Sequence, residues 1–170
     1  MIRSRLAREK AHGILKMYRI LESPINITDI AGKLGFNIVS FPFPDTISAV
    51  IRIDNGKKII GVNQKHPETR QRFSIAHELG HYLSGHENFS HAHEIFVDRD
   101  KKYLDPHHRD EEEADEFAAE ILMPESMLKK DVLENKLNAS TLAQKYNVSE
   151  QAMWIQLINL KLAVEQGHIN

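Results

Sequence analysis

The chain has 170 residues, 41% hydrophobic and 27% charged, a balance that suits one globular domain with a buried core. It contains no cysteine, which excludes disulfides, a cysteine nucleophile and thiolate metal sites, so any metal must be held by nitrogen and oxygen. The net charge of -2 leaves no electrostatic footprint for nucleic acid or for an anionic membrane.

Met1 to Arg8 is basic without an apolar run, so it does not read as a signal peptide, and no apolar stretch is long enough to span a bilayer. A soluble cytoplasmic protein is expected. Leu6 to Leu21 carries apolar residues at helical spacing, with Gly13 as a weak point. Thr28 is a candidate cap for a short helix, Asp29 to Leu34, stopped by Gly35. Phe36 to Phe41 reads as a strand, and the two prolines after it force a loop. Ser48 to Ile53 and Lys57 to Val62 are rich in β-branched residues and flank Asp54-Asn55-Gly56, a hairpin turn. Three strands are therefore expected to pair as a small sheet.

Pro67 suits the first position of a helix running to about Leu83 and ended by Gly85. His86 to Leu104 reads as a long loop with one apolar patch, Ile95-Phe96-Val97. Asp105-Pro106 opens a helix that runs to Met123 and stops at Pro124. Three shorter helices follow: Glu125 to Glu134, Thr141 to Tyr146 capped by Ser140, and Glu150 to about Val164 capped by Ser149. No linker divides the chain, so residues 1–170 are expected to form a single α+β domain. Residues 1–124 would be its core, and 125–170 a helical, helix-turn-helix-like subregion.

The chemistry is concentrated in His77-Glu78-Leu79-Gly80-His81. Residues four apart on a helix share a face, so both imidazoles can reach a single ion. Glu78 is rotated about 100° from His77, which suits it to take a proton from a metal-bound water rather than to be a third ligand. Such a water, acidified to a pKa of about 7 by zinc, is a nucleophile near neutral pH. Gly80 costs about 1 kcal/mol relative to alanine in mid-helix, tolerable where a backbone or a substrate approaches closely or where packing is crowded.

A third histidine six residues after His81 is excluded, because that position is Glu87; His86 falls one residue short and reads as a surface histidine at the helix end. The acidic run Asp110 to Glu116 offers the other source. Ala114, Phe117, Ala118, Ile121 and Leu122 form an apolar stripe on that helix, away from which Glu112, Glu116 and Glu120 point. Glu111 and Asp115 border the stripe one turn apart, and Glu113 borders it less closely on the other side. Glu111 is therefore the expected third ligand, with Asp115 accepting the free N–H of a ligand histidine, and Glu113 is the alternative ligand.

Arg72 to Leu83, containing the motif, resembles the active-site helix of the ImmA/IrrE metallopeptidases, and Glu111 to Pro124 is similar to that family's second signature. Phe96-Val97-Asp98-Arg99, Val62-Asn63 and Val148-Ser149 extend the likeness, which covers about Ile27 to Leu162. The resemblance implies a zincin-like fold, a small sheet packed on the active-site helix, and a zinc site (manganese being the alternative ion) made by His77, His81 and Glu111. It also implies that Glu78 is the general base. Its implied substrate is a helix-turn-helix transcriptional repressor or an antitoxin-like partner.

An extended peptide could add to a sheet edge at Ser48 to Ile53 or Lys57 to Val62. Oxyanion donors could come from Tyr103, His91, His93, His107 or His108, none of which the sequence singles out. Ser140 to Met153 has the look of a helix-turn-helix, but its second helix offers only Lys161 as a basic residue, so packing or substrate docking is expected there rather than DNA reading. The competing readings are a non-catalytic binding module with a structural metal site, and a DNA-binding regulator.

Overall fold

The computed structural model describes residues 2–86, 108–135 and 137–163. Their elements run α1 (Ile2–Met17), α2 (Ile27–Lys33), β1 (Phe36–Phe41), β2 (Ala49–Asp54), β3 (Lys57–Asn63), α3 (Glu68–Ser84), α4 (His108–Leu122), α5 (Glu125–Asn135), α6 (Ala139–Tyr146) and α7 (Glu150–Asn159). Among the described residues the architecture is α+β, a small mixed three-stranded sheet with seven helices.

The sheet order is β1-β3-β2, with β1 parallel and β2 antiparallel to β3. The β2–β3 hairpin closes through Asn55 at φ 49° and Gly56 at φ 78°. Consecutive left-handed residues are what a two-residue turn needs to match strand twist, and Asn-Gly supplies them at low cost. Ile60 pairs with Ile38 on one side and Ile51 on the other. With Phe36, Ala49 and Val62, these residues turn one face of the sheet inward. Ile51 and Ile60 are fully buried, which stabilises the fold by about 1.5–3 kcal/mol each. β3 is internal, so of the two segments considered for peptide addition only β2 is an edge; β1 is the other edge.

α3 lies against β2 and β3 and, more extensively, against α4, which also packs along α1. At Gly80 the two helix backbones nearly touch: a Cβ there would lie 3.0 Å from both the Cα and the carbonyl oxygen of Ala114. The crowding partner at Gly80 is therefore another backbone.

Several local expectations are corrected. Asn26, not Thr28, caps α2 by accepting the Asp29 N–H at 3.0 Å, and Asn138, not Ser140, caps α6 through Thr141 N–H at 2.9 Å. Asparagine caps as well as serine or threonine, and it stands where the chain enters the helix. α1 ends at Met17 rather than Leu21, because Arg19 adopts φ 53° and turns the chain. α7 stops at Asn159, short of Val164, and Lys161 at φ 59° follows. The patch Ile95-Phe96-Val97 and the Asp105-Pro106 cap lie outside the described residues. Among the described residues no helix is long and apolar enough to cross a membrane.

Glu120 is the largest departure from the amphipathic reading of α4. Expected on an outward face, it is fully buried: His12 Nε2 lies 2.6 Å from its Oε1, the Glu125 N–H donates to that oxygen at 2.8 Å, and Gln156 Nε2 donates to Oε2 at 3.4 Å. α1 packs along α4, so the second face of α4 carries a polar seam that is buried at Glu120. Arg8 pairs with Glu116 at 3.0 Å along the same seam.

The turn between α6 and α7 is fastened to α3. Arg72 donates to the Asn147 carbonyl at 3.0 Å and to that of Ile25 at 2.8 Å, and Asn147 Nδ2 donates to Glu68 at 2.7 Å. On α7, Met153, Gln156 and Leu157 are buried. These residues of the helix-turn-helix-like segment pack into the fold.

Candidate metal centre

α3 presents His77 and His81 on one face, and α4 brings Glu111 across from it. Their ligand-capable atoms form a small triangle: His77 Nε2 to His81 Nε2 is 3.0 Å, His77 Nε2 to Glu111 Oε2 is 3.3 Å, and His81 Nε2 to Glu111 Oε1 is 3.4 Å. Atoms bound to one tetrahedral zinc at about 2.1 Å stand roughly 3.4 Å apart, so the edges are of the size a shared ion requires. The donor set, two imidazole nitrogens and a carboxylate, is one that zinc accepts.

The site is also tuned for positive charge. Burial alone would lower the His77 pKa, but hydrogen bonds to Asp115 and Glu111, together with the charges of Asp115 and Glu78, hold it up at about 10. Asp115 Oδ1 lies 2.9 Å from His77 Nδ1, on the side of the ring away from the triangle. Glu78 is 1% exposed and close enough to act on His77 through its charge.

Glu113, the alternative ligand, turns elsewhere: its Oε1 accepts from Lys10 Nζ and Ser84 Oγ, both at 2.9 Å. Those bonds and the nearby Lys10 and His86 charges outweigh burial and hold its carboxyl below the ordinary 4.5. The reason is positional, since α1 covers the side of α4 on which Glu113 stands. His86 is not the surface histidine expected; its side chain is 12% exposed and its Nδ1 lies 2.9 Å from that of His81. The signal was Gly85, since a left-handed glycine ending a helix folds the next side chain back over the last turn. His108 pairs with Glu112 at 3.1 Å, while Tyr103, His91, His93 and His107 lie outside the described residues.

A peptidase family model described as the IrrE N-terminal-like domain matches residues 31–157, a span that holds both site helices. The chain belongs to that family. Its zincin-like α+β fold and a metallopeptidase-like domain follow from the same match, and His77, His81 and Glu111 are together a group that could hold a metal ion. Among solved structures, a Mycobacterium tuberculosis transcriptional regulator is similar, with a TM-score of 0.65 at 15% identity, covering 89% of this chain and 46% of that one. At that identity the likeness is one of fold alone, and this IrrE-type chain spans less than half of the regulator's length. No curated protein shows significant sequence similarity to it.

Proposed function

We propose that this chain is a zinc-dependent endopeptidase. The observation that carries the reading is the His77–His81–Glu111 triangle, with buried Glu78 beside it on the same helix. His77, His81 and Glu111 would hold the ion, and Asp115 would orient His77 through its Nδ1–H. When bound, zinc supplies Lewis acidity that acidifies a water and polarises a peptide carbonyl. Glu78 then accepts the proton of the attacking water on its carboxylate and delivers it to the amide nitrogen that leaves. β2, an edge strand packed on α3, offers backbone groups on which an extended substrate can be laid as an added strand.

The substrate proposed is a helix-turn-helix repressor or antitoxin-like protein. The resemblance to the ImmA/IrrE metallopeptidases supports it, and a transcriptional regulator sharing the fold is compatible with it. The test is incubation of the zinc-loaded protein with the product of a repressor gene encoded beside it. The wild type should give one discrete cut, and Glu78→Gln should bind zinc yet cut nothing. Equal biological activity of wild type and Glu78→Gln would favour a binding module in place of an enzyme.

A further inference from the structure

The turn that ends α3 sets one imidazole against another. The His86 N–H donates to the His81 carbonyl and the Gly85 N–H to that of Tyr82, both at 3.2 Å, with Gly85 at φ 71°. This pair of bonds lays the residue after the glycine over the residue five before it, a contact that is commonly apolar. Here it is His86 on His81, with ring centroids 5.0 Å apart, planes at 69° and an Nδ1–Nδ1 distance of 2.9 Å.

The proton positions follow from the geometry. His81 turns Nε2 toward His77 and Glu111, so a lone pair offered there puts the ring proton on Nδ1. His81 Nδ1–H then donates to His86 Nδ1, and the proton of a neutral His86 must sit on Nε2. That nitrogen faces carboxylates, Glu113 Oε2 at 3.5 Å and Asp110 Oδ1 at 3.6 Å. Lys10 Nζ and Ser84 Oγ fix Glu113 from its other oxygen.

We propose that His86 is a positioning residue for the metal centre: it accepts the His81 Nδ1 proton and so fixes the tautomer and ring plane in which His81 offers Nε2. Glu113 and Asp110 orient His86 in turn, and Lys10 ties the chain of contacts to α1. His77 reaches its carboxylate directly through Asp115, whereas His81 reaches one through a second imidazole. The inference rests on reading His77, His81 and Glu111 as a metal site.

The experiment measures zinc affinity of the full chain by competition with a chromophoric chelator, for wild type, His86→Ala, His86→Asn and His86→Gln. An asparagine oxygen can stand about where Nδ1 does; a glutamine oxygen reaches the Nε2 position instead. His86→Ala and His86→Gln should bind about 10- to 100-fold more weakly, and His86→Asn within about threefold of wild type. The His81 ring N–H should give a sharp proton resonance in zinc-loaded wild type and His86→Asn, and exchange away in the other two. Wild-type affinity in His86→Ala, or equal affinities of His86→Asn and His86→Gln, overturns the proposal. Should His86→Ala fail to fold, the asparagine–glutamine pair decides by the same criterion. A wild type that binds no zinc removes the metal-site reading and this inference together; zinc binding unchanged in every variant removes this inference alone.

Discussion

Gly80 and Ala114 meet backbone to backbone, 3.0 Å separating the Ala114 Cα from the point a Gly80 Cβ would occupy. Phe117 Cβ stands 3.2 Å from the same point. This closeness is what lets α4, through Glu111, reach the face of α3 that carries His77 and His81. The helical cost of a glycine at position 80 is the cost of bringing the two helices within ligand distance.

Gly80→Ala should therefore destabilise the protein, although alanine is the better helix former. The propensity gain is about 1 kcal/mol. Overpacking against a backbone that cannot rotate away costs about 1–3 kcal/mol. The net loss should reach up to about 2 kcal/mol in urea unfolding, and zinc affinity should fall with it as Glu111 is displaced. An unchanged unfolding midpoint with unchanged zinc affinity would mean that the helices part at no cost to the site.

Asp115→Ala should weaken zinc binding by about 10- to 100-fold, the usual effect of removing the outer partner of a ligand histidine. Its side chain is 46% exposed, so the fold should be little affected. Chelator competition reads the affinity and thermal unfolding the fold. Zinc affinity within about twofold of wild type would show that His77 needs no partner at Nδ1.

The motif helix, the acid that stands opposite its histidines and the hairpin were legible because each rests on local chemistry: i,i+4 histidines, an acid at the border of an apolar stripe, and Asn-Gly. What escaped was set by tertiary context or by an unusual residue at a common position. Among the described residues five helices end in a left-handed residue, and the ends marked by Gly35, Gly85 and Asn147 were readable. Those marked by Arg19 and Lys161 were not, because nothing in either side chain favours positive φ. Glu120 of α4 was misjudged for another reason. Helical periodicity separates apolar from polar faces, but it cannot say that α1 covers the polar one and that Lys10 and His12 pair with Glu113 and Glu120 there.

Glu120→Ala should cost about 2–3 kcal/mol, since it strips a buried acceptor from the Glu125 N–H at the start of α5 and from Gln156. His12 is half exposed and can rehydrate, so it adds little to the loss. Glu120→Gln, which keeps an acceptor oxygen, should lose less. Urea unfolding of both variants checks this. A Glu120→Ala loss below about 0.5 kcal/mol would make the polar seam energetically idle.

The last prediction concerns alkaline pH and a site away from the metal centre. Tyr146 is fully buried and donates its hydroxyl to Asp131 Oδ2 at 2.8 Å, joining α6 to α5. Burial first, then the hydrogen bond to Asp131 and its charge, push the Tyr146 pKa well above the ordinary 10.0. A folded-state pKa raised this way makes the native state hold the proton that the unfolded state gives up. The contribution is fully present below pH 10.0 and is lost as pH rises from there through the folded value. Stability should thus fall with a steeper slope above that pH in wild type than in Tyr146→Phe. Tyr146→Phe should itself be weaker at neutral pH by about 1–3 kcal/mol, because Asp131 loses a donor in a buried position. Unfolding midpoints across the alkaline range test both parts, with ultraviolet tyrosinate absorbance reporting whether Tyr146 ionises only on unfolding. Parallel alkaline limbs in the two proteins, or ionisation of Tyr146 in the folded state near pH 10.0, would sink the assignment.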